Sequence, residues 1–150
     1  MLKKINTVKT KIIVIAVLMI AFTQILCIAD ETPPADTEVK PKAPVLKVAV
    51  LCEDVRASKT PINEAVVFSS SLGRLFCFTN FDPVYEETYI FHKYYFKDKF
   101  RDKQKLKLTP PSWGAKSDIK LRETDKGPWR VDITDADGKV FHSIRFSITD

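Results

Sequence analysis

The chain has 150 residues, with 24 Lys+Arg against 19 Asp+Glu and four glycines. The cationic surplus sits in residues 1–29, which hold four lysines and no acid, leaving 20 cations against 19 acids for the rest. So balanced a remainder argues against nucleic acid as a partner, and so few glycines leave little material for a phosphate-cradling loop.

Lys3, Lys4, Lys9 and Lys11 stand ahead of an uncharged apolar run from Ile12 to Ala29, and Asp30-Glu31 follow directly. Cations ahead of an apolar run hold their side in the cytoplasm, so the layout predicts export and a periplasmic or other extracytoplasmic location. Two fates fit. Cleavage after Ala29 would use the small residues Cys27 and Ala29 at −3 and −1. Retention would make residues 12–29 an anchor helix and the chain's one membrane contact, since a span needs about 20 apolar residues. Lipid attachment at Cys27 is disfavoured by Leu26, which is not small.

Residues 30–44 (DETPPADTEVKPKAP) carry four prolines and no aromatic residue. Such a stretch buries too little apolar area to offset its ordering, which predicts a disordered linker. Residues 45–150 read as one β domain. Leu46, Val48, Val50 and Cys52 alternate, and Ala65 to Phe68 is a short apolar run. Leu75 to Phe78 is aromatic-rich between turn formers. Thr88 to Phe96 is β-branched and aromatic throughout, Lys103 to Leu108 alternates charge with Leu106 and Leu108, and Ile119 and Leu121 mark a further strand. Trp129, Val131 and Ile133, a turn at Asp135 to Gly138, then Val140 to Ile148 read as a hairpin in which Gly138 supplies positive φ. With no sustained 3.6-residue period, the expectation is all-β: an antiparallel, immunoglobulin-like β-sandwich of seven or eight strands.

Cys52 and Cys77 are the cysteines outside the leader, and in an exported domain two such cysteines are expected to pair. The histidines, His92 and His142, lie in strands among apolar neighbours, which favours hydrogen-bonded packing roles. A zinc site would need both to converge with a carboxylate such as Asp82 or Glu87. Lys97, Lys99, Arg101, Lys103, Lys105 and Lys107 place a cation at every second position. In one continuous strand all six would form an anion-binding strip, whereas a hairpin tip at Lys97 to Arg101 would divide them between two elements. A solvated edge guarded against sheet pairing is the plainer reading. Asp132, Asp135 and Asp137 lack the spacing of a calcium loop. Trp113, in an irregular Pro-Pro-Ser-Trp-Gly stretch, either caps the core or stacks on a sugar. No nucleophile or zinc-protease motif is present, so no catalytic residue, metal ligand or cofactor is assigned.

Ala49 to Cys52, Pro61, Phe68, Gly73 to Thr79, Thr88 to Tyr95 around His92, Trp113 to Ile119, and Gly127 to Asp132 through Asp137-Gly138 to Phe146 form an ordered series. In that order it resembles the bacterial domain-of-unknown-function family 2914, from about Leu46 to Ile148. The chain departs from the family pattern at Tyr94, where a tryptophan is usual, and around Trp113 to Lys116. The resemblance implies an envelope-associated β domain and brings no reaction or cofactor. The expected function is a non-catalytic binding or accessory module, with His92, Tyr94, Trp113 and Lys116 as the candidate surface and an envelope glycan or envelope protein as partner. A metal-assisted hydrolase using His92 and His142, and a structural spacer, are the alternatives.

Overall fold

The computed structural model describes residues 42–150; the expected leader helix and residues 30–41 of the expected linker lie outside the described residues. Nine strands follow one another: β1 (Leu46–Val55), β2 (Pro61–Glu64), β3 (Val67–Ser69), β4 (Arg74–Phe81), β5 (Thr88–Phe96), β6 (Lys99–Leu108), β7 (Trp113–Lys120), β8 (Gly127–Thr134) and β9 (Val140–Thr149). One sheet runs β2-β1-β4-β7 and the other β3-β9-β8-β5-β6. The all-β reading therefore holds. The count exceeds expectation because Pro61–Glu64 is a strand of only four residues, too short for an alternation to show, while the apolar run expected at Ala65 to Phe68 becomes the three-residue β3. The pairing is also not wholly antiparallel, since β3 lies parallel to β9.

Alternation on each strand builds the core between the sheets. Leu51, Leu75, Cys77 and Ile119 of the four-stranded sheet pack against Tyr94, Trp129, Val131, Phe146 and Ile148 of the five-stranded one. A second group around Phe81, Ile90, Leu108, Ala115 and Ile133 continues that layer. Trp129 also satisfies its indole, donating Nε1–H to the Asp125 carbonyl at 2.7 Å, as a buried tryptophan requires.

Register corrects two expectations. Leu51 pairs with Cys77 and Cys52 with Phe76. Paired residues share a face and neighbours along a strand do not. Cys77 thus points into the core with Leu51, while Cys52 points to the far side of its sheet, clustered with Val50, Val55, Phe76 and Phe78. The expected cystine is not formed: both cysteines are buried free thiols, separated by the thickness of a sheet. Val50 and Cys52 of the expected alternation likewise belong to this outer cluster, and it is Leu51, between them, that enters the main core.

The β5–β6 hairpin turns at Lys97 and Asp98, with φ 51° and 60°. Two left-handed residues in a two-residue loop match the twist of the flanking strands. A bulge follows, because Tyr94 pairs with Asp102 and Tyr95 with Phe100, leaving Arg101 unopposed. At the far edges the Gln104 side chain joins the two sheets. It donates to the Asp118 carbonyl at 2.5 Å and accepts from the Asp118 amide at 3.3 Å. Gly138 has φ 88°, as the β8–β9 turn was expected to require.

Candidate functional site

His92 and Tyr94 occupy even positions of β5 and face the interior, where both are completely buried. Opposite them, Thr79 of β4 and Ser117 of β7 project from the other sheet. Ser117 Oγ lies 2.6 Å from His92 Nδ1 and 2.6 Å from the Tyr94 hydroxyl. Thr79 Oγ1 lies 3.3 Å from His92 Nε2 and 3.4 Å from the Ala115 carbonyl.

Donor bookkeeping orients this chain. A carbonyl can only accept, so Thr79 donates to Ala115 and must accept from His92 Nε2–H. His92 Nδ1 then accepts from Ser117, and Ser117 accepts from Tyr94. Every polar atom is served with a neutral imidazole. A second ring proton would turn Ser117 from donor to acceptor and leave a hydroxyl proton of Ser117 or Tyr94 without a partner among these groups. Burial pulls the His92 pKa from its ordinary 6.5 to about 4, and burial pushes the Tyr94 phenol well above its ordinary value. The Ser117–His92 contact has the reach of a nucleophile and its base, but the pair is enclosed and joins the two sheets instead.

The expected surface of His92, Tyr94, Trp113 and Lys116 is therefore not assembled. Two of its members are core, which follows from their parity on β5. Trp113 is half-buried, opens β7 opposite Phe81 instead of lying in an irregular stretch, and carries the Lys59 ammonium 3.7 Å from its ring centroid. Lys116 is exposed on the other face of β7, near the Phe76 ring. His142 is exposed on β9, reached from His92 only across Ile133 of β8. Two strand spacings of about 4.8 Å separate their backbones, so an enclosed and an exposed imidazole do not meet at one ion. Among the described residues no three His, Cys, Asp or Glu side chains are grouped to hold a metal. Asp135 instead accepts the Lys139 amide at 2.8 Å, and Asp132 the Ser143 hydroxyl at 2.7 Å.

The side chains that do converge lie on the outer face of the five-stranded sheet. The six cations are divided by the turn at Lys97 and the bulge at Arg101, whose guanidinium points toward Asp125 at 3.8 Å. Beyond the bulge, Lys103, Lys105 and Lys107 share one face of β6, opposite Lys93, Phe91 and Tyr89 of β5. Each leans to the diagonal neighbour. Lys103 Nζ sits 4.1 Å from the Phe91 ring centroid, Lys105 Nζ 3.8 Å from that of Tyr89, and Lys107 Nζ 2.7 Å from Glu87. One strand further in, Arg130 lies 4.3 Å from the Tyr95 ring while pairing with Asp98 and Asp132. The hydrogen bond with Glu87 holds the Lys107 pKa above its ordinary value. Aromatic rings in so apolar a strand ordinarily fill a core. The signal that separates them is the odd-numbered series Tyr89, Phe91, Lys93, Tyr95, whose inclusion of Lys93 marks it as the wet face.

Residues 87–148 match the model of a family described as Protein of unknown function (DUF2914). The resemblance thus stands over β5 to the end of β9, and the match does not reach the motifs between Ala49 and Thr79. It contains every lysine and ring of the ladder on β5 and β6. No curated protein matches the chain.

Proposed function

We propose that the chain, whose residues 87–148 match a family model that names no activity, is an exported, non-catalytic binding module of the cell envelope. On this reading it meets an envelope polymer with the outer face of its five-stranded sheet. The observation that carries this is the division of labour between the two faces of β5: the groups capable of acid–base work are locked inside, and a row of cations and rings is turned to solvent. An enzyme needs its titratable groups within reach of substrate, whereas a binding face needs charge and aromatic surface in the open. The lysine-headed apolar run at the N-terminus supplies the route out of the cytoplasm.

Co-sedimentation of the full chain with purified insoluble envelope glycan tests the reading, together with fractionation of the producing cell. The chain is expected in the extracytoplasmic fraction and in the glycan pellet. A cytoplasmic chain, or one that leaves every envelope glycan in the supernatant, rejects it.

A further inference from the structure

We infer that Lys103, Lys105 and Lys107, with Phe91 and Tyr89 beneath them, form a binding strip for a linear anionic polysaccharide lying along β6. This rests on the envelope-polymer reading above and adds the chemical class of the polymer and its path across the sheet.

Alternate residues on a strand recur at about 6.7 Å, so the three ammonium groups make a straight row at that interval. The row is held from below. Two of the ammonium groups sit over rings, and both lysines are exposed, so their N–H donors are open to an anionic group. Among the described residues, Lys107 alone of the three is in an ion pair. The row also has an internal cost, since Lys103 stands directly opposite Lys93, and like charges paired across strands repel. A carboxylate or phosphate between them would turn that repulsion into attraction.

Edge protection does not account for the arrangement. The lysines lean inward over β5 instead of outward past the edge, and Gln104 already reaches from β6 to the Asp118 backbone on the edge of the other sheet. The surrounding charges select the shape of the ligand. Glu87 borders one end of the row, Asp98 lies in the turn beyond the other, and Asp132 flanks it two strands in, opposite Lys93. An extended anionic plane such as a bilayer would press against those carboxylates, whereas a single chain along β6 meets the cations between them. Bases of a nucleic acid need open ring faces to stack on, and here ammonium groups cover a face of both Tyr89 and Phe91. With the domain outside the cytoplasm, the remaining linear polyanion is a carboxylate- or phosphodiester-bearing glycan.

The test is equilibrium binding of the full chain to a polyuronate oligosaccharide at two salt concentrations. A neutral glucan, an oligonucleotide of equal charge and vesicles containing anionic lipid serve as comparisons. Binding is expected for the polyuronate, weakening with salt. Each Lys→Gln change at Lys103, Lys105 or Lys107 should cost about three- to fivefold. Phe91→Leu, which keeps every charge but removes one support, should cost about twofold. The triple Lys→Gln variant should unfold at a urea concentration close to the wild type's, because loss of the Lys93–Lys103 repulsion offsets loss of the Lys107–Glu87 pair and the two ring contacts. Binding of the triple variant at wild-type strength overturns the inference, as does equal affinity for oligonucleotide or vesicles. A chain that pellets with envelope glycan and binds the neutral glucan but no polyuronate also overturns it, leaving the broader reading intact. Failure with every glycan removes both.

Discussion

At the residue scale the consequential position is His92. Its imidazole is neutral because burial disfavours the charged form, and the hydrogen-bond chain from Tyr94 through Ser117 to Thr79 and Ala115 serves it with one ring proton. In the unfolded chain the same imidazole titrates near 6.5, and in the fold near 4. The unfolded state therefore binds more protons in that window. The stability due to this depressed pKa is complete above about pH 6.5 and is lost as pH falls toward 4. A shift of this size corresponds to roughly 3 kcal/mol. Urea midpoints at pH 7 and pH 4.5 should show this loss in the wild type. His92→Gln should be less stable at pH 7 by about 1–3 kcal/mol, through broken buried hydrogen bonds, and should lack the wild type's drop between the two pH values. An equal acid sensitivity in His92→Gln would refute the assignment.

At the scale of elements, the β5–β6 hairpin sets the ladder. Its turn places Lys97 and Asp98 at positive φ, a conformation that favours asparagine and glycine over lysine. Lys97→Asn keeps the backbone N–H that donates to the Pro128 carbonyl at 3.0 Å and relieves the strained position. It should raise stability by a few tenths to about 1 kcal/mol, read as a higher urea midpoint, with polyuronate affinity unchanged because Lys97 lies outside the row. A loss of stability would mean that the lysine side chain contributes more to the turn than its backbone conformation costs. The division of the six cations was legible as one of two outcomes, since a Lys-Asp-Lys tip is a plausible turn. The bulge at Arg101 was not legible. It follows from how Tyr94 and Tyr95 seat against β6, a matter of cross-strand packing that leaves no signature in spacing.

At the scale of the whole molecule, the two sheets are held together by packing and buried hydrogen bonds without a covalent staple. Burial raises the pKa of both Cys52 and Cys77 and keeps them unreactive. Alkylation at pH 8 followed by peptide mapping should leave both unmodified in the folded chain. After unfolding in denaturant without reductant, both should be modified. Recovery of a Cys52–Cys77 cystine would contradict the strand register, because its formation requires both side chains on one face of the sheet.

Sequence alone determined the class of the fold and most of its strands, because period-two alternation and turn residues are local properties that need no partner to be read. For His92 it offered both a hydrogen-bonded packing role and a place on a binding surface, and the stacking of the sheets decided for the first. What it could not determine was which of two faces looks inward where both are apolar, as on β1, or where aromatic residues run through both, as on β5. Burial there is decided by the sheet that arrives on one side. The register of β1 against β4 separated the thiols, and the stacking of the two sheets turned Tyr94 into the core and left Phe91 and Tyr89 beneath the lysines. Those outcomes depend on contacts between residues far apart in the chain, which only the assembled sheets bring together.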